Sequence, residues 1–154
     1  MAASQPCRVV IPIEADYWQA RAIFNWVVPK YINPVSPSSV AIFNSQALMQ
    51  FDEIAVTEGA FSSMALGKNS IALVGKEIPQ AKLDRLVSSL PQKWVLAIEP
   101  GAMGSMSKLA DALLAHGKSV TLWKYDQGDP NEPGAVFKEV SYDFRTKVSM
   151  MLGV

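Results

Sequence analysis

The sequence predicts an α/β protein: a parallel β-sheet flanked by helices, with a small β-rich piece ahead of it. Three observations predict it. Short apolar runs at residues 53–57, 70–74, 93–98 and 119–123 alternate with longer stretches of helical spacing, the pattern of strands joined by crossover helices. Glycine and proline stand at most of the junctions between them. Ahead of residue 50 the chain carries instead a β-branched run and an aromatic cluster, closed by a loop of Pro, Ser and Asn.

Taken in order, residues 8–13 (RVVIPI) form a β-branched strand whose Pro12, lacking an N–H, belongs near a sheet edge. The segment 17–31 carries two tryptophans and three other aromatic rings beside Arg21 and Lys30. Rings beside cations suit nucleic acid, because bases stack on rings while cations meet phosphate. They suit a β-hairpin core equally, and spacing alone favours the core. Residues 33–39 (NPVSPSS) are a loop, and residues 45–51 a short helix with Ser45 as its cap.

Residues 53–57 (EIAVT) read as the first strand of the main sheet, followed by Glu58-Gly59 and a helix through Leu66. Residues 70–74 are the second strand, Gly75 a turn, and residues 79–90 a helix opened by Pro79. Residues 93–98 are the third strand, residues 102–116 the longest helix, and Gly117 its C′ stop before a fourth strand at 119–123. Residues 126–134 (DQGDPNEPG) form a turn-rich acidic loop, and the tail 135–154 has room for another helix. The domain reading is therefore 1–50 for the β-rich piece, 51–134 for the α/β core and 135–154 for the tail.

Composition narrows the function classes. A chain of 154 residues, 49% apolar and 18% charged, buries one domain's core. Fourteen basic and fourteen acidic residues cancel, so a polyanion must be met by a local patch. The lone Cys7 excludes a disulfide framework and a multi-cysteine zinc site, and points to a reducing compartment, the cytoplasm. No window reaches the ~18 apolar residues of a membrane span, and the first residues (MAASQPCR) carry no charged leader. The one histidine, His116, falls in the last turn of a helix, where it suits the helix dipole.

Chemistry is expected where strands end, since open α/β sheets bind ligands outside the carboxyl ends of their strands. Three such ends carry acids: Glu58, Glu99 and, in the loop after the fourth strand, Asp129. Carboxylates gathered at one sheet edge repel unless a hard cation neutralises them, which suits Mg²⁺ and phosphoryl transfer. Glu58 and Glu99 are equally suited to the positive end of a helix dipole, and Asp129 to organising a turn. Both readings stand on spacing alone.

The order of these pieces resembles the Toprim domain of bacterial and phage-type DNA primases, a Rossmann-like sheet. The Glu-Gly motif closing that domain's first strand is matched by Thr57-Glu58-Gly59. Its Leu-Asp-x-Asp-x-x-Gly motif is matched by Ile98-Glu99-Pro100-Gly101-Ala102-Met103-Gly104, and its Gly-Lys-Asp-Pro-Asn/Asp-Glu loop by residues Gln127 to Glu132. Ahead of it, Arg8 to Ile13, Gln19 to Ala22 and Pro29 to Pro34 are similar to the segments that precede the domain in phage primases. The likeness runs from residue 8 to about residue 132.

The resemblance implies primer synthesis on single-stranded DNA. It places Glu58, Glu99 and Asp129 as catalytic acids that, with Asn131, hold Mg²⁺ or Mn²⁺. It also places Arg21, Lys30, Tyr31 and Lys76 on nucleotide or template. Implied partners are single-stranded DNA or a DNA/RNA hybrid, nucleoside triphosphates, and a helicase or other replication protein, with no membrane. The departures imply an alternative, a degenerate relative that only binds nucleic acid or a replication partner. An acid expected four residues after Glu58 is Ser62, the second acid of the Asp-x-Asp pair is Gly101, and Asn131 stands where a second Asp is frequent.

Overall fold

The computed structural model describes residues 7–35 and 40–153. The first six residues, most of the predicted loop (36–39) and Val154 lie outside the described residues. The chain builds two sheets. The first is antiparallel, in the order β1 (Arg8–Glu14), β2 (Tyr17–Ala22), β3 (Tyr31–Ile32). Pro12 sits on the edge strand β1, opposite Trp18, where its missing N–H costs no ladder bond to a further strand.

The second sheet has the order β5-β4-β6-β7-β8, from β4 (Glu53–Thr57), β5 (Ser70–Ala72), β6 (Lys93–Ile98), β7 (Ser119–Gln127) and β8 (Val136–Tyr142). Strands β4 to β7 pair in parallel, as the alternating pattern predicts, through α1 (Ala60–Leu66), α2 (Gln80–Val87) and α3 (Met103–Ala115). Helix α4 (Phe144–Leu152) closes the chain. The central strand β6 has parallel neighbours on both sides, and its Trp94, Leu96 and Ile98 are buried in the core with Ile54, Val56, Leu109 and Leu113. Each fully buried aliphatic chain of this kind contributes roughly 1.5–3 kcal/mol.

The structure corrects several boundaries. The tail is not only helical: β8 pairs antiparallel with β7 and makes the sheet mixed, extending β7 to Gln127. The second predicted strand stops at Ala72 because Val74 turns to φ +49°, a strained conformation for a β-branched residue. Residues 45–49 form one 3-10 turn, and Asn44, not Ser45, occupies its cap position. Asn44 Nδ2 instead donates to the carbonyls of Lys68 and Ser70. Gly117 stands at φ +73° after α3, as a C′ glycine should.

Two ties hold the pieces in place. Arg85 on α2 grips the Glu14 carboxylate at 2.6 and 2.8 Å and donates to Val40 O, fastening the end of β1 to the main body. At the other end, Tyr142 Oη and Lys147 Nζ both donate to Asp111 on α3, so the tail docks. Among the described residues no helix is long and apolar enough to cross a membrane.

Candidate functional site

The carboxyl edge of the main sheet carries the acids, and local sequence explains how. Glu99 follows β6 directly and opens a turn: the Ala102 N–H donates to Glu99 O at 3.0 Å, with Pro100 and Gly101 between them and Gly101 at φ +88°. Proline second and a positive-φ glycine third is the signature of a type II turn. The position where a second acid is expected is thus one the backbone reserves for glycine.

Burial pushes the Glu99 carboxyl above the ordinary glutamate range. A hydrogen bond from Ser62 opposes the rise, and the neighbouring Asp129, Glu58 and Glu132 carboxylates add to it. Ser62 Oγ, buried on α1, lies 2.9 Å from Glu99 Oε1 and 3.2 Å from Asn131 Oδ1. One hydroxyl proton cannot serve two acceptors at once, and the carboxylate is the stronger. Turning the Asn131 amide over lets its N–H donate to Ser62 Oγ and satisfies both contacts. Ser62 therefore ties Glu99 to the 128–135 loop.

These acids share an edge without enclosing a point. Among the described residues no three His, Cys, Asp or Glu side chains converge on a place that would hold a metal ion. The expected Glu58, Glu99 and Asp129 cage, with Asn131 beside it, is not closed in this arrangement. Their oxygens are donors of the kind that Mg²⁺ or Mn²⁺ takes.

The predicted cations fare differently from one another. Arg21 on β2 and Lys30 line one cleft of 560 Å³, together with Phe24, Phe61, Asn131 and Glu132. The cleft runs between the three-stranded sheet and the acid edge. Ion pairs among the described residues are Glu14–Arg85, Asp126–Lys138 and Asp111–Lys147, so Arg21 and Lys30 keep their charges unpaired. The Arg21 guanidinium lies over the Phe61 ring at 4.6 Å and over Tyr31 at 5.6 Å, contacts worth about 0.5–1 kcal/mol each. Burial raises the Tyr31 phenol's pKa; Arg21 lowers it, while Glu99, Asp129 and Glu58 raise it further, so it stays a donor at neutral pH.

Lys76 lies elsewhere, lining a separate 410 Å³ hollow with Ser105 and Lys108. His116 Nδ1 meets Ala112 O at 2.8 Å, the helix-end contact its position predicts. Two cleft residues and one that bonds Glu99 escape the sequence reading. Glu132 belongs to the matched loop motif, Ser62 reads only as a lost acid, and Phe61 carries no signal apart from following Gly59-Ala60.

The arrangement of the two sheets is similar in fold to solved primase structures. The chain is similar to the DnaG catalytic core, with 17% identity and a TM-score of 0.66 over 81% of this chain and 47% of that one. It is similar to the Aquifex aeolicus primase comprising zinc-binding and RNA polymerase domains, with 21% identity, a TM-score of 0.63, and 85% and 39% of the two chains covered. The RNA polymerase domain of Mycobacterium tuberculosis primase DnaG matches at 20% identity and a TM-score of 0.59, over 80% and 49%. The chain spans less than half the length of each, and at these identities the likeness is one of fold. No protein-family model and no curated protein matches the sequence.

Proposed function

We propose that the chain is a Toprim-type core of a DNA primase-like replication protein, cytoplasmic, and that its cleft holds the phosphates of single-stranded DNA, a DNA/RNA hybrid or a nucleoside triphosphate. One observation carries this reading: Arg21 and Lys30, both unpaired, converge in one 560 Å³ cleft whose far wall is the loop beside Glu99. Unpaired cations in a groove attract a phosphate backbone, and aromatic rings beside them accept bases. Tyr31, a protonated donor under Arg21, adds a neutral contact to phosphate or sugar.

Primer synthesis is the second reading, favoured by the acids Glu58, Glu99 and Asp129 following strands of one sheet edge, near enough for Glu58 and Asp129 to raise the Glu99 pKa. Mg²⁺ or Mn²⁺ would supply the charge neutralisation that phosphoryl transfer needs. Glu58, Glu99 and Asp129, with Asn131, would hold that ion, while Arg21 and Lys30 bind and orient phosphate. The binding-only alternative follows from the same geometry, with a helicase or other replication protein supplying the activity.

Fluorescence anisotropy of labelled single-stranded DNA over a salt series tests the proposal. Binding should fall with salt, and Arg21→Ala and Lys30→Ala should each reduce the log–log slope by roughly 0.7. Salt-independent binding, or none at low salt, overturns it. Primer synthesis with Mg²⁺ or Mn²⁺, run beside Glu58→Gln, separates the two readings: product from wild type alone identifies the enzyme, and binding without product identifies the degenerate relative.

A further inference from the structure

Between β2 and β3 the chain makes an excursion over residues 23–30 that exposes more apolar surface than a small sheet normally leaves open. Trp26 is 75% exposed, Val28 84% and Ile23 56%. The rings of Phe24 and Trp26 already stack, with centroids 4.4 Å apart and planes within 9°. The excursion is pinned at its base: Ile23 N–H donates to Cys7 O, Ala22 N–H to Lys30 O, and Arg8 to Pro29 O at 2.6 Å. The stacked pair is thus presented on a fixed support. Phe24 lines the same cleft as Arg21 and Lys30, two unpaired cations, and Trp26, stacked on it, stands between the lining residues Asn25 and Val27.

We infer that Phe24 and Trp26 are a stacking platform for a base of single-stranded nucleic acid whose phosphates lie on Arg21 and Lys30, an inference that rests on the function proposed above. The unpaired cations in the same cleft select a polyanion with flat rings over an apolar protein segment. A base laid on the open face of Trp26 extends a stack that exists beforehand, so little ordering is left to do on binding. The contact is indifferent to sequence, because every base has a π-face.

The test compares an oligothymidylate with an abasic strand of equal length, each titrated against the full chain by anisotropy and by tryptophan fluorescence. Oligothymidylate should bind more tightly than the abasic strand and quench the fluorescence. Trp26→Ala should weaken oligothymidylate binding about 5- to 100-fold and leave the abasic strand's affinity unchanged, and Trp26→Phe should recover part of the loss. Trp26 is mostly exposed, so the substitution leaves the core intact. Equal affinity of wild type and Trp26→Ala for oligothymidylate, with both strands binding, overturns the platform and leaves the cleft standing. Failure of both strands to bind wild type overturns both. Self-association abolished by Trp26→Ala, with no strand bound, assigns the patch to a contact between copies and overturns the platform.

Discussion

Glu99 is held at a cost that a single substitution reveals. Its folded pKa lies above the ordinary value, so between the two values the folded chain binds more protons than the unfolded one. Stability from this group is therefore unpenalised below the ordinary value, falls as pH rises through the window, and stays reduced above the folded pKa. Glu99→Gln keeps the acceptor for Ser62 and removes the charge. Urea unfolding across pH should find the variant more stable than wild type near neutrality and equal to it in acid. A variant tracking wild type throughout would contradict the burial of this carboxylate. Gly101 adds a second residue-scale point: its φ of +88° disfavours any side chain, so restoring an acid there strains the turn by about 1–3 kcal/mol.

Among the elements, the Glu14–Arg85 tie decides how β1 meets α2. Burial pushes the Glu14 carboxyl up, but hydrogen bonds from Arg85, Ser45 and the Ile42 N–H outweigh it and leave the pKa below the ordinary value. Its stabilisation is complete above the ordinary glutamate value and is lost as pH falls through the lowered one. Glu14→Gln should cost about 1–2 kcal/mol at neutral pH, the carboxylate being partly exposed. Thermal melts should show that gap closing in acid; a constant gap would mean that shape, not charge, makes the tie. Elements with a long apolar run or a regular apolar stripe were legible in the sequence. Strand β6 and helix α3 declare themselves by apolar runs and by Gly117. Strand β8 was not legible, because an edge strand with Lys138 and Glu139 exposed has no apolar alternation to read. Ser62 was legible as a departure but not as a tie, since its partners lie 37 and 69 residues away. Arg21 and Lys30 were ambiguous in the sequence, and their sharing of one cleft was not readable from it.

At the scale of the whole molecule, the candidate cleft belongs to neither sheet alone: Arg21 comes from β2 and Lys30 from the excursion before β3, while Phe61 comes from α1 and Asn131 and Glu132 from the loop between β7 and β8. The ion pair that helps fix the two sheets, beside the packing of Tyr17 and Ile13 on Ala72 and Val74, joins residues 71 apart. That separation sets an order of events during synthesis. The small sheet, with Trp26 and Val28 exposed, leaves the ribosome well before the guanidinium that anchors it. Chains truncated ahead of Arg85 should therefore present an unanchored hairpin that proteases cut, while chains continuing past α2 should protect it. Limited proteolysis of nested truncations reads this directly, and protection of the shorter chains would show that the hairpin needs no anchor. Until Arg85 is made, the half of the candidate cleft that is synthesised first lacks one of its anchors.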